Sequence, residues 1–311
     1  MIEVALPGTG GMMPLPGRWL SCLAVRSGGH GVLFDCGEGT QVALKEIKWG
    51  FRDIDVLAIT HLHADHLAGL VGMLLMFANS GRTEELRIYG PPGLAAVVAG
   101  QRLLARVLPY PVEVIELWPG EGFTVGQLRA TTALGVHHGT CLAYRLDLAR
   151  QRRFYPERAR ELGVPVAQWR GLQAGQPVNV GGRTVAPDSV LGEERPGLAL
   201  AFVTDTRPTA ELARLASGVD LLVCEGTFGA SADQPRAIET RHMTFAEAAT
   251  LARSAGAARL LLTHFSAALT DPDAHGAEAR AIFAPTTVGH DGLRVTLRFP
   301  PDEAPAQLPT I

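Results

Sequence analysis

Short aliphatic and β-branched runs recur along the chain, most of them closed by a polar residue. Glu3-Val4-Ala5-Leu6, Ser21-Cys22-Leu23-Ala24-Val25-Arg26 and Gly31-Val32-Leu33-Phe34-Asp35 predict strands, with Ser27-Gly28-Gly29-His30 as a hairpin turn. Ile54-Asp55-Val56-Leu57-Ala58-Ile59 predicts a buried strand, and residues 67–77 are long and apolar enough for a buried helix. Residues 86–90, 112–117 and 127–133 read as further strands, and Pro91-Pro92 opens a helix expected over 94–108. The pattern resumes late in the chain with strands at 198–204, 220–224 and 259–263 and helices at 209–216 and 245–255. Between them, residues 145–190 are polar and weakly periodic. Positions 150–170 carry six Arg against two Glu, as an inserted positively charged arm or an ordinary solvated segment would.

The ends of the apolar runs carry the chemistry. Thr60-His61-Leu62-His63-Ala64-Asp65-His66-Leu67 places three imidazoles and a carboxylate within six residues, on the turn between a strand and a helix. Extended backbone turns His61 and His63 to one side. Asp65 and His66, on the tighter turn, are expected to point to a neighbouring position, about 3.5–4 Å away as in two-metal sites. These residues predict a metal site. His137 and His138 follow another strand, where a third ligand is expected. Asp205, Glu225 and His264 each stand at a strand end, the position at which α/β architectures gather functional groups. Pro7-Gly8-Thr9-Gly10-Gly11 has neither the lysine nor the glycine spacing of a nucleotide loop. Asp35-Cys36-Gly37-Glu38-Gly39-Thr40-Gln41 opens a helix, where backbone amides could face an anion or position the site.

Composition narrows the class. The 311 residues suffice for one large α/β domain or two smaller ones, and 47% apolar with 19% charged residues is the balance of a soluble globular protein. No apolar run reaches the ~18 residues of a membrane span. Met1-Ile2-Glu3-Val4 begins on a strand without a basic region, so no secretory signal is expected. Cys22, Cys36, Cys141 and Cys224 lack CxxC spacing and read as reduced thiols of a cytoplasmic protein. A formal charge of −3 does not announce a nucleic-acid binder.

Assembled, these residues resemble the ribonuclease Z branch of the metallo-β-lactamase superfamily. The resemblance runs over nearly the whole chain. It includes Gly8-Thr9-Gly10, Phe34-Asp35-Cys36-Gly37-Glu38-Gly39-Thr40-Gln41, the 60–66 run, Tyr89-Gly90-Pro91 and Thr204-Asp205-Thr206-Arg207. It continues through Glu225-Gly226-Thr227-Phe228, His242-Met243-Thr244 and Leu262-Thr263-His264-Phe265-Ser266. The resemblance implies an α/β fold, the αββα sandwich of two mixed sheets face to face with helices outside. It implies one such domain over residues 1–300 with an inserted arm at about 147–190; the Pro/Ala/Asp-rich composition beyond it predicts a flexible tail at 301–311. The resemblance also implies two zinc ions per subunit, with manganese or iron as substitutes. His61, His63 and His137 would hold one ion, Asp65, His66 and His264 the other, and Asp205 would bridge. His137 is preferred to His138 because its spacing to Tyr144 matches the family's His-to-Tyr spacing. Asp65 would also accept a proton, and His242, oriented by Glu225, would contact the scissile phosphate. The implied substrate is precursor tRNA, the implied assembly a homodimer.

Two stretches depart from the family pattern. Gly163-Val164-Pro165 lacks the arm's Gly-Pro step, and Ser266-Ala267-Ala268-Leu269 lacks the Arg and Tyr that follow the family's Thr-His-x-Ser. The expected function is therefore a zinc-dependent phosphodiesterase removing tRNA 3′ trailers, with a small-molecule phosphodiesterase or ester hydrolase of the same superfamily as the alternative.

Overall fold

The computed structural model describes residues 1–301, so most of the tail expected at 301–311 lies outside the described residues. One unit comprises Met1–Leu148 and Leu198–Arg298. Its strands begin with β1 (Ile2–Gly8), β2 (Cys22–Ser27), β3 (His30–Phe34), β4 (Ile54–Ala58), β5 (Leu86–Gly90) and β6 (Val112–Glu116). They continue with β7 (Gly122–Val125), β8 (Leu128–Leu134) and β9 (Leu142–Arg150). After a hairpin of the second unit, β10 (Val178–Val180) and β11 (Arg183–Val185), come β12 (Arg195–Val203), β13 (Leu221–Glu225), β14 (Leu260–Thr263), β15 (Thr286–Val288) and β16 (Arg294–Leu297). Two seven-stranded sheets result, ordered β16-β1-β2-β3-β4-β5-β6 and β15-β14-β13-β12-β9-β8-β7. Both are mixed: β3 to β6 and β12 to β15 run parallel, and the remaining recorded pairings are antiparallel. The two-residue Gly28-Gly29 turn has φ of 60° and 82°, the left-handed backbone that a tight hairpin between β2 and β3 requires.

The sheets meet through aromatic rings. Phe34 on β3 lies 5.2 Å from Tyr144 on β9 and 5.6 Å from Phe202 on β12, and Tyr89 stacks on Phe123 at 4.3 Å. Burying each phenylalanine contributes about 1.5–3 kcal/mol. Outside one sheet lie α1 (Thr40–Glu46), α2 (Ala64–Leu67), α3 (Leu70–Asn79) and α4 (Leu94–Gln101), burying Leu44, Leu70, Met73, Leu74 and Val98 with Leu33, Leu57 and Ile88. The second unit, Ala149–Gly197 with Phe299, contains α5 (Pro156–Glu161) and α6 (Trp169–Gln173). It closes over its own small core of Ala159, Val164, Leu172, Val185, Val190 and Leu191. On the other sheet pack α7 (Ala210–Leu215), α9 (Phe245–Ala255) and α10 (Gly276–Ile282), with α8 (Gln234–Thr240) before α9. The αββα sandwich is present as expected. Thr244 and Glu247 close a capping box at the start of α9, whose buried Phe245, Ala248, Ala249 and Ala252 repeat at helical spacing.

Two helices differ from the sequence expectation. The helix expected to open at Asp65 and His66 and to continue through 67–77 begins there, at Ala64, but breaks between α2 and α3. There the Gly69 N–H donates to the Cys36 carbonyl at 2.9 Å, and a Cβ on Gly69 would lie 1.9 Å from the Gly37 carbonyl oxygen. The loop after β3 thus crosses through the helix start. The helix expected to reach 108 ends at Gln101 and tightens into a turn, because Leu103, Leu104 and Val107 find no core and stay exposed.

Strand register places the site. Phe34 pairs with Ala58 across β3–β4, while Val203 pairs with Cys224 and Glu225 with Thr263 across β12–β13–β14. The residues just beyond these pairs, Asp35, Thr60, Asp205 and His264, therefore leave neighbouring strand ends together.

Candidate metal centre

Three of these strand-end residues have left-handed backbone: Asp35 (φ 60°), Asp205 (φ 50°) and His264 (φ 59°). Such a conformation costs a non-glycine residue roughly 1–2 kcal/mol and persists only where packing enforces it. All three side chains turn into one buried cluster.

Within it, His61 Nε2 lies 2.9 Å from His63 Nδ1, which is 3.3 Å from His137 Nε2. Asp65, His66 and His264 form a second group, with His66 Nε2 and His264 Nε2 at 3.5 and 3.7 Å from Asp65 Oδ2. Asp205 stands between the groups. Its Oδ1 is 3.9 Å from His61 Nε2 and 3.8 Å from His137 Nε2, and its Oδ2 is 3.2 Å from both His66 Nε2 and His264 Nε2. All seven residues expected as ligands thus come together. His138 stays exposed at the cleft mouth, its ring 5.2 Å from that of His137.

Four of the imidazoles are fixed from behind. The Nδ1 of His66 bonds Asp35 Oδ2 at 2.8 Å, and that of His61 reaches Thr60 Oγ1 at 3.1 Å. The Nδ1 of His264 reaches Thr227 Oγ1 at 3.1 Å, and that of His137 the Arg241 carbonyl at 3.3 Å. Thr60 gives its hydroxyl proton to Asp35 and Thr227 gives its own to Glu225, so both hydroxyls can accept from imidazole. In its neutral form each ring would then carry its proton on Nδ1 and turn an Nε2 lone pair inward, the form in which imidazole binds a metal. Among the described residues, His66 Nε2 and His264 Nε2 are buried without a hydrogen-bond partner. An orphaned buried nitrogen costs about 1–3 kcal/mol, and two that face a shared carboxylate fit a cation between them.

The electrostatics agree. Burial, followed by the neighbouring His66, pushes His61 down to about 2, and burial pushes His137 down to about 4, so both are neutral donors. Burial opposes ionisation of Asp65 and Asp205, yet the imidazoles around them hold both carboxyls well below the usual range. Burial also opposes protonation of His66, but Asp205 and Asp35 raise it well above an ordinary imidazole. A cluster of ionised carboxylates that draws a proton onto a buried imidazole is one a divalent cation can occupy instead.

Beside the cluster, burial of His242 is outweighed by Glu225, whose Oε2 is 3.2 Å from His242 Nδ1, and its pKa rises to about 9. Burial likewise opposes ionisation of Glu225, but His242 keeps its carboxyl low. Glu225 also accepts the N–H groups of Thr206 and Met243 at 2.6 and 3.0 Å, which hold it rigid. Arg207 pins the His242 carbonyl and pairs with Glu247. Arg241 donates to the His137 carbonyl at 2.7 Å, returning the bond that its own carbonyl receives.

A cleft of about 490 Å³ opens onto the cluster, with Gly11, Met12, Phe228, Arg236, Glu239, Thr240 and Ser266 on its walls. The glycine loop roofs it. The Met12 N–H donates to Asp65 Oδ2 at 2.8 Å, and a Cβ on Gly11 would lie 2.7 Å from the His264 ring. Sequence reasoning named Thr60 and Thr227 only as parts of longer runs, without their role in orienting the rings, and missed Arg241 and this amide. Asp35 carried a usable signal, since it ends a strand as Asp205 and Glu225 do.

The description "Beta-lactamase superfamily domain" matches residues 30–156 and 157–265. The chain is 42% identical over 304 residues to ribonuclease Z of Lachnoclostridium phytofermentans, covering 97% of this chain and 100% of that one. It is 43% identical over 303 residues to ribonuclease Z of Agathobacter rectalis, with 97% and 100% covered. Among solved structures, the short form of human tRNase Z superposes with a TM-score of 0.67 at 23% identity, over 96% of this chain and 100% of that one. A metallo-beta-lactamase fold protein from Bacillus subtilis also gives 0.67, at 21% identity over 94% and 98%.

Proposed function

The chain belongs to the ribonuclease Z family of the β-lactamase superfamily, and on that premise we propose how its residues divide the work of cutting RNA. It is a metal-dependent hydrolase, an endoribonuclease of tRNA 3′ processing. The observation that carries the assignment of roles is Asp205, whose two oxygens face two separate groups of inward-turned imidazoles.

His61, His63 and His137 would hold one ion and Asp65, His66 and His264 a second, bridged by Asp205. Imidazole and carboxylate suit zinc, with manganese or iron as substitutes. When bound, the metal supplies a nucleophile at neutral pH and neutralises phosphate charge. Asp65 borders the cleft with 14% of its side chain exposed, more than the 3% of Asp205, and would accept the proton that the attacking water loses. The Met12 amide on its Oδ2 fixes the acceptor's orientation. His242, charged through Glu225, faces the same cleft. It binds a non-bridging phosphoryl oxygen as charge builds there and is a proton source for the leaving 3′ oxygen. We further propose that the protein works in the cytoplasm as a homodimer. The arginines of Ala149–Gly197 would meet tRNA phosphates. No described helix is long and apolar enough to cross a membrane.

The test is cleavage of a 3′-extended precursor tRNA by metal-loaded protein, beside bis(p-nitrophenyl) phosphate and an Asp65→Ala control. Cleavage at the trailer junction is expected, with a loss of at least about 100-fold in Asp65→Ala. Turnover of the small diester with the precursor left intact would overturn the substrate assignment.

A further inference from the structure

The arginines around the cleft are committed, with one exception. Arg207 serves Glu247 and the His242 carbonyl, Arg241 the His137 carbonyl, and Arg18 the carbonyls of Leu269 and Thr270. Arg236 is exposed, lines the cleft and forms no ion pair among the described residues. Its guanidinium rests over the Phe228 ring, 5.5 Å from the centroid, which leaves its donors free.

The perch is rigid. The Phe228 N–H donates to the Met243 carbonyl at 3.2 Å and its carbonyl accepts from Phe245 at 2.9 Å, tying the ring's backbone to the segment that carries His242. The His242 N–H in turn bonds the Ala237 carbonyl at 2.8 Å, so the segment carrying His242 is tied to the same short helix, α8, that carries Arg236. The metal cluster and His242 can neutralise one phosphate. A polynucleotide brings a row of them, and the other cleft-wall charge on α8 is the carboxylate of Glu239, which repels the next.

We propose that Arg236 grips the phosphate adjacent to the scissile one and thereby favours polynucleotides over simple diesters. The inference rests on the endoribonuclease reading above. The grip is a charge-assisted, fork-shaped contact that a lysine would replace only in part.

Arg236→Ala and Arg236→Lys, both at an exposed position, would be compared with wild type on precursor tRNA and on bis(p-nitrophenyl) phosphate across a salt series. For Arg236→Ala, kcat/KM on the precursor should fall about tenfold, mainly through KM, with the small diester unchanged. The slope of log binding constant against log salt should become shallower by about 0.7–0.9, the signature of one lost phosphate contact. Arg236→Lys should fall between the two. Unchanged precursor cleavage, or equal losses on both substrates, would overturn the inference while leaving the enzyme assignment standing. Wild-type protein inert on the precursor would bring down that assignment, and the inference with it.

Discussion

At the scale of single residues, the centre is organised by the atoms behind its ligands. Histidine binds metal through either nitrogen, and the partner of the other nitrogen decides which. Here a threonine hydroxyl, a carboxylate, a second threonine and a backbone carbonyl take the Nδ1 protons of His61, His66, His264 and His137. The ligand candidates were legible because HxHxDH is dense and Asp205 and His264 end apolar runs. Their orienting partners were not, since Thr60 and Thr227 are ordinary residues until the fold brings their hydroxyls beneath a ring. Asp35 gives the sharpest test. Asp35→Asn keeps the shape and can still accept from His66, but it removes the charge that strengthens this ligand. Metal affinity should fall about 10–100-fold with the fold retained. Competition against a chelator measures it, and wild-type affinity in a folded variant would sink the argument.

At the scale of elements, strands were legible where they are buried on both faces, as with the run 198–204, and less so where they are short. β15 has three residues, too few for any period to emerge. β9 went unread although Leu142, Tyr144, Leu146 and Leu148 alternate with smaller and polar residues, the pattern of a strand with one buried face. The break between α2 and α3 is a tertiary effect, invisible to local propensity. The start of α9, by contrast, was written locally. Thr244 accepts from Glu247 N–H at 3.2 Å and Glu247 Oε2 accepts from Thr244 N–H at 3.0 Å. Burial raises the Glu247 carboxyl, but the bonds from Arg207 and Thr244 prevail and hold it below the usual range. A carboxyl lowered by folding stabilises above its unfolded pKa, and that stability is lost as pH falls through the folded value. Wild type should therefore exceed Glu247→Gln by about 1 kcal/mol at pH 7, with the gap closing on acidification toward pH 3. Urea midpoints at both pH values check this, and a gap independent of pH would contradict it.

At the scale of the molecule, the resemblance to the ribonuclease Z branch gave the sandwich, but no local pattern says which strand ends meet. That follows from register and from the aromatic contacts between the sheets. The consequence is mechanical. His61, His63, Asp65 and His66 leave β4 in one sheet, whereas Asp205 and His264 leave β12 and β14 in the other, and His137 lies between β8 and β9. A metal held by these residues ties the two sheets together at one edge. Without it, ionised carboxylates remain buried, with two imidazole nitrogens that have no hydrogen-bond partner among the described residues. Because the unfolded chain cannot assemble such a site, binding stabilises the fold by mass action, by about 2.7 kcal/mol at a hundred times the dissociation constant. Chelation should lower the melting temperature by several degrees, and added zinc should restore it in a concentration-dependent way. Asp205→Asn should respond far less to either treatment, because the atom pair that joins the two ligand groups has lost its charge. A melting temperature indifferent to chelation, in protein shown to have carried metal, would mean that the ions sit on the scaffold without clamping it.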